Sequence, residues 1–533
     1  MRLLLRHGLG LLLLTVLVWA VAIVYWQETH RAVSAQDVVV YLVALPVGLF
    51  LVFLLMRFGI DAMKAPAAAT TAPVGAGAAA PVSAAAATAA AERGWVATVV
   101  AAQAVSAAGD NADAITATLA EGGKRVALDK ELKDDAGLPL FAARVPQLDV
   151  DAVERTLDAL RPALTAKREA WAQAEPSQAV LRALALLDAV LQPIASELES
   201  ITAWLLEPAP AANPTRRARR LQVLLAVPPG WSEFDAALAQ AWLGERITAQ
   251  WAGPLGWPAG NTEKATGKAT EKATEKATDK AAANSAQNAA WQLTPLPVAS
   301  GEALLLRVDK LLTLLRQQEH EDLVLALAAE SWLDDALIEQ LAARGELFRP
   351  GLAPQGVMPG EAAAALLLAP GHVMAASPAL APPDAPRITR LALLERDKPA
   401  DAAGRISGQC LGDAITHALV AAGCPGSGVA RVVSDLDHRG SRSGELYQAL
   451  PTLLPELDAA TEVWALGLAN GASGVADALC TLAVAAVAAR AETRPVLAAT
   501  VSHPRLRAAA LVLPGAWRAP SPSSVPPAAA VPA

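Results

Sequence analysis

Two charge-free apolar runs close to the N-terminus restrict this chain more than any other feature. Gly8 to Trp26 is dense in Leu and Val, and Val38 to Met56 repeats the pattern. Each is about 19 residues, enough to cross a ~30 Å hydrocarbon core at ~1.5 Å per helical residue. Trp19, Tyr25, Trp26 and Tyr41 gather toward one end of the pair, as amphipathic rings do at a membrane interface. Pro46 is tolerable inside the second run, because a kinked helix in lipid is re-satisfied locally. The runs predict a transmembrane hairpin over residues 1–60. Arg2 and Arg6 precede it, Arg57 and Lys64 follow it, and its loop sets Arg31 among Glu28 and Asp37. Basic flanks stay in the cytoplasm. The chain is therefore expected to be a multi-pass protein of a bacterial inner membrane, with both termini and its main body on the cytoplasmic side. A cleaved signal peptide ending near Ser34 and Ala35 is the rival reading, and the second full-length span behind it speaks against that.

Composition divides the remainder. Residues 61–92 are nearly all Ala with Pro, Thr, Gly and Ser, which reads as a tether. A mixed, globular sequence then runs in two parts, 93–258 and 292–516, around an insertion at 259–291; residues 517–533 form a Pro/Ser/Ala tail expected to be disordered. Inside the insertion, Thr262 to Ala281 is five tetrapeptides of the form Thr-x-Lys-Ala. A period of four drifts around a 3.6-residue helix and builds no fixed apolar face, so the repeat reads as solvated. Asp151 to Leu206 has apolar residues at helical spacing. Strands are expected at Leu221–Pro228, Asp322–Ser331, Ala362–Pro370, Arg387–Arg396, Ala430–Asp437 and Glu462–Ala469, with PVLAATVSH and AAALVLP as a closing antiparallel pair. Strands separated by helices imply an α/β domain with both sheet faces covered.

The net charge of −8 and the lack of a long basic run argue against a nucleic-acid partner. Cys410, Cys424 and Cys480 form no CxxC pair, which argues against a disulfide framework or structural zinc. No cofactor is implied. The densest polar group is Asp435, Asp437, His438, Arg439, Arg442 and Glu445, directly after a strand. It reads either as a binding loop at a strand's C-terminal end or as an internal ion-pair cluster that pins a loop. Asp435, Asp437 and His438 are suitable metal ligands by type, but no metal is assigned. Gly467, Gly471 and Gly474 suit either an anion cradle at a helix start or close helix–strand packing. Tryptophans number 13, several of them bracketing the repeat, and core packing is their default role.

Three stretches, in order, carry a family resemblance: DLVLALAAESWLDD from Asp322, GVMPGEAAAALLL from Gly356, and VVSDLDHRGSRSGE from Val432 followed by GLANGASG from Gly467. They resemble, respectively, the strand after the nucleophile helix, the segment leading into a core strand, and the two late catalytic loops of the thiolase-like superfamily, which includes the β-ketoacyl synthases. The resemblance covers roughly Leu304 to Pro514 and implies a layered domain of duplicated mixed sheets, with 93–258 supplying the first half. It implies a homodimer paired through a sheet edge. The chemistry departs from the pattern. Condensation needs a thiolate at a helix N-terminus, where the dipole lowers its pKa, yet no cysteine precedes Cys410. The first late-loop histidine corresponds to His438, and the second falls at Leu468.

The resulting expectation is a membrane-tethered scaffold or adaptor that is not an enzyme and binds a protein partner. The layout also resembles the type VI lipase adapter proteins, which makes a secreted effector or a secretion-machine component the expected partner. Two rival readings remain: an acyl-CoA or acyl-carrier-protein dependent acyltransferase with a rearranged site near His438, and passive binding of an acyl group or nucleotide. For the anchor the test is direct. The full-length chain stays with the membrane pellet after an alkaline carbonate wash, and a chain lacking residues 1–60 moves to the supernatant.

Overall fold

Alanine-rich segments with almost no amphipathic signal make up the strands and helix at the centre of this protein. The computed structural model describes residues 92, 94–134, 137–166, 168–207, 218–257, 261–262 and 290–518. The two apolar spans, nearly all of the tether, the body of the repeat and the tail beyond 518 lie outside the described residues.

The first half opens with β1 (Val96–Ser106) and α1 (Ala112–Ala120), followed by a small hairpin, β2 (Ala127–Lys133) and β3 (Pro139–Ala142). Helices α2 (Val150–Thr165) and α3 (Gln178–Leu206) lead to β4 (Leu221–Val227), a run buried on both faces as an internal parallel strand requires. Next come α4 (Glu233–Ile247), the short β5 (Asn261–Thr262) and β6 (Trp291–Pro297). Helix α4 begins at a capping box in which Ser232 and Asp235 satisfy each other's backbone donors. Then follow α5 (Gly301–Gln317), β7 (Leu323–Ser331), α6 (Asp335–Ala343) and β8 (Glu361–Pro370), with every residue of β8 buried. A short helix, α7 (Gly371–Ala376), closes this half.

The second half contains β9 (Arg387–Thr389), β10 (Ala392–Glu395), α8 (Gln409–Ala422), β11 (Arg431–Ser434), α9 (Gly440–Leu453) and β12 (Val463–Ala465). It ends with α10 (Leu466–Asn470), α11 (Ala476–Ala491), β13 (Val496–Thr500) and β14 (Leu506–Leu513). The closing pair is antiparallel, Ala498 facing Ala510.

One 12-stranded sheet runs β12-β11-β13-β14-β9-β1-β8-β7-β4-β6-β5, with β10 on β14. Its two ends have the same design. In the first half the order β6-β4-β7-β8-β1 is third, second, fourth, fifth, first in chain order, and β8 runs against its neighbours. In the second half β12-β11-β13-β14-β9 repeats that order, with β14 reversed. The halves join where β1 pairs antiparallel with β9, Val96 facing Thr389. Three large apolar cores follow, besides a small one between the β2–β3 hairpin and α6. One lies under α2, α3 and α4, one under α8 and α9, and a middle one holds α1, α5 and α11 against strands of both halves.

Several expectations are refined. The run Arg387–Arg396 is two strands, because the Arg390 guanidinium and the Leu391 N–H both turn to the Asp309 carboxylate on α5. Glu462–Ala469 gives only a three-residue strand before α10 begins. Strands β1 and β6 were not expected: β1 has no alternation, and Pro295 and Pro297 break the strand signal of β6. Helix α3 is long and apolar enough to cross a membrane, and its apolar residues belong to the first core, against β1, β7 and β8.

Helix α11 is buried along nearly its whole length, so its alanines set the spacing of the layers on either side. Ala483→Leu is expected to cost about 1–3 kcal/mol, as overpacking of a filled core does, read as a lower denaturation midpoint at unchanged slope.

Candidate functional site

A cavity of about 760 Å³ opens where the two halves meet. It lies at the C-terminal ends of β7, β11 and β13, the place where open α/β sheets present ligand-binding loops. The start of α5 forms one wall, the start of α11 another, and the loop 352–357 a third. Helix α5 is capped by Ser300, whose hydroxyl accepts from the Ala303 N–H at 3.3 Å.

Of the six acids that line this space, Glu346 pairs with Arg344 and Asp401 with Arg442; the other four are Glu302, Glu330, Asp435 and Asp477. Glu302, Asp435 and Asp477 are 3%, 2% and 8% exposed. Asp435, the first residue past β11, accepts from the Val501 N–H at 2.6 Å and from the Ser502 N–H and hydroxyl at 3.2 and 2.5 Å. Burial, and then the nearby Glu302 charge, push its pKa up to about 6 despite those bonds. Glu330, near the end of β7, accepts from the Val475 N–H at 2.7 Å and from the Trp332 indole N–H at 2.9 Å. Burial raises it to about 7. Asp477 accepts from the N–H and hydroxyl of Ser473; burial, with the Asp435 and Glu330 charges, holds it well above the usual carboxylate range. Glu302 is also raised by burial. His503 lines the same cavity. Its Nδ1 accepts from the Arg505 and Leu506 N–H groups at 3.0 and 2.9 Å, which leaves the ring proton on Nε2. Burial and two arginines lower its pKa, so the ring stays neutral.

The residues singled out in the sequence separate. Asp435 and Arg439 reach the cavity. Asp437 accepts from Arg439 Nε at 2.7 Å, and Arg439 also donates to the Ser502 carbonyl at 3.0 Å. The Arg442 side chain is fully buried; it donates to Asp401 at 2.9 and 2.8 Å and to the Ser502 carbonyl at 3.1 Å. Glu445 is held by Arg507 at 2.9 and 2.8 Å and by Arg396 at 2.7 Å. His438 packs edge-on against Phe348, ring centroids 5.0 Å apart, and does not line the cavity. The glycines allow close approach: a Cβ at Gly467 would strike the Asp435 carbonyl, and one at Gly474 would strike the Glu330 carboxylate. The Val475 N–H beside that glycine loop is already taken by Glu330.

At the helix that precedes β7, the residues Val298 to Glu302 include no cysteine, and no cysteine lines the cavity among the described residues. Burial pushes the Cys424 thiol up to about 11 and holds Cys480 well above its ordinary value, so neither is a thiolate. Glu302, Glu330, Asp477 and His503 were not assigned roles from sequence. Their one signal is a lone acid inside an apolar run, as in GEALLL and GVADAL.

No protein-family model matches the chain, and no curated protein matches it. Among solved structures it is similar to the ishigamide ketosynthase/chain length factor, at 18% identity and TM-score 0.43, covering 78% of this chain and 99% of that one. It is also similar to the ketosynthase ApeO in complex with its chain length factor ApeC from Xenorhabdus doucetiae, at 13% identity and TM-score 0.46, covering 79% and 98%. A third is the ketosynthase from module 6 of the bacillaene synthase from Bacillus subtilis 168, at 12% identity and TM-score 0.47, covering 78% and 71%. The expectation that this chain is not an enzyme is corrected here, since these neighbours are ketosynthases and chain length factors, enzymes or their catalytic partners. The missing thiolate bears on one reaction only. The duplicated sheet order and the buried central helix make the layered, duplicated mixed-sheet design that the thiolase-like resemblance implies.

Proposed function

We propose that the central cavity is an acid–base site for an acyl-type substrate, working without a covalent intermediate. The observation that carries this reading is the convergence of three buried carboxyl groups and the half-buried Glu330, all with raised pKa values, on one roomy cavity. Carboxyls this close cannot all ionise, so near neutral pH some donate protons while others accept them. Glu330, at about 7, suits a base that takes a proton from the carbon beside a carbonyl. The C–H bond breaks, its electron pair moves onto the carbonyl oxygen, and the proton passes to the Glu330 carboxylate. Asp477, kept neutral, is suited to donate a hydrogen bond to the developing oxyanion. Because Asp435 feels the charge of Glu302, and Asp477 those of Asp435 and Glu330, the acids titrate as a group. In this reading the two N-terminal spans hold the site at the bilayer, and a protein partner delivers the acyl group.

Deuterium exchange at the carbon beside the carbonyl of octanoyl-CoA, followed by mass spectrometry, tests the chemistry. Glu330→Gln is expected to slow it by about 100-fold or more, and Asp435→Asn to shift its pH profile. Wild-type protein that exchanges nothing, or exchange untouched by both substitutions, would sink the proposal.

The same carboxyls fix a pH dependence of stability. Glu330 and Asp435 bind protons more tightly folded than unfolded, their values rising from 4.5 to about 7 and from 3.8 to about 6. Their contribution is present below the unfolded values and is lost as pH rises through the folded ones. Stability should therefore fall by about 1–3 kcal/mol per group between roughly pH 4 and pH 8. Glu330→Gln should flatten the upper part of that slope, read by urea denaturation across the range.

A further inference from the structure

A second cavity, of about 310 Å³, lies along the later turns of α5 and shares no lining residue with the first. Its walls are aliphatic, with Leu305, Val308, Leu312, Leu368 and Ile388 facing one another. Most polar groups on its margin are already satisfied. Asp309 accepts from Arg390 at 2.8 and 2.9 Å, and His372 donates from Nε2 to the His320 carbonyl at 2.9 Å. Arg316 differs. Its guanidinium lies 5.6 Å above the Trp95 ring, and it has no ion pair with an acid among the described residues. An apolar cavity with one uncommitted cation at its rim matches an amphiphile with one charge of opposite sign.

We propose that this cavity binds a single aliphatic chain bearing an anionic head, the chain between α5 and the β8–β9 region and the head at Arg316. The mostly aliphatic lining disfavours a flat aromatic ligand, since Trp95 and His372 are the two rings among its described lining residues. A carboxylate and a phosphate monoester share the chemistry Arg316 would recognise.

The test uses the full-length chain in amphipol and measures saturable uptake of labelled dodecanoate, dodecyl phosphate and dodecanol. Both anions are expected to bind about fivefold more tightly than the alcohol, the scale of a partly exposed ion pair. If only one anion shows that preference, the head group is that one. Arg316→Gln should erase the preference and leave alcohol binding unchanged. Ala375→Trp, placed at an exposed position on the cavity rim, should weaken all three probes by about tenfold or more without straining the core. Glu330→Gln should bind all three as wild type does, which separates this site from the central cavity. Unchanged binding in Ala375→Trp, a preference surviving in Arg316→Gln, or no saturable uptake of any probe would overturn the inference.

Discussion

The burial of α11 against strands from both halves of the sheet governs the arrangement of the rest. A helix apolar on every side must be covered on every side, and α11 touches strands of both halves as well as α1 and α5. Alanine at half of its positions lets those neighbours approach closely. Because the helix is fixed along its length, its first turn is fixed too, and that turn carries the Val475 N–H and the Asp477 carboxyl into the central cavity. Gly474, at φ +59°, makes the approach possible: a side chain there would displace the Glu330 carboxylate. Packing in the middle layer thus sets where two of the four acids stand.

The polar cluster of the second half positions a third. Arg439 and Arg442 both donate to the Ser502 carbonyl, while the Ser502 N–H and hydroxyl point at Asp435. The loop after β13 is therefore clamped from both sides, and Asp435 is held by the clamp. Behind it, Glu445 and Arg507 form a fully buried bidentate pair joining α9 to β14. Such a pair is costly to desolvate and costlier to break, so it fixes geometry more than it adds stability. The ion pairs around the cavity act as positioning groups, and in the proposed acid–base reading the carboxyls of the cavity carry the chemistry.

Strands dominated by Leu and Val, such as β4 and β7, were legible because each is a short apolar run between turn signals. The Ala-rich β1 was not, since alanine serves helix and strand alike and no period distinguishes them. The site was half legible. Asp435 stood out within a dense polar group, but the sequence favoured His438 as the reactive residue because β11 was expected to run on to Asp437. The strand ends at Ser434, so the first side chain beyond it is Asp435, and His438 turns to Phe348. Glu302, Glu330 and Asp477 are far apart in the chain and each sits alone in an apolar segment. Only the topology brings them together, through the start of α5, the end of β7 and the start of α11.

The place where condensing enzymes keep a thiolate has the opposite electrostatic character here. A thiolate needs a positive potential, supplied by a helix N-terminus and nearby donors. In this chain the first turn of α5 carries Glu302, itself buried and raised, and the surrounding acids would push a thiol's pKa further up. Restoring a cysteine at the helix start would therefore not restore a nucleophile. In the proposed reading the same acids hold protons near neutral pH, and a group that holds a proton at pH 7 can release it to a substrate. In the proposed acid–base reading, the lack of a nucleophile and the capacity for proton transfer have one cause, the burial of carboxyls where a thiol would need to ionise.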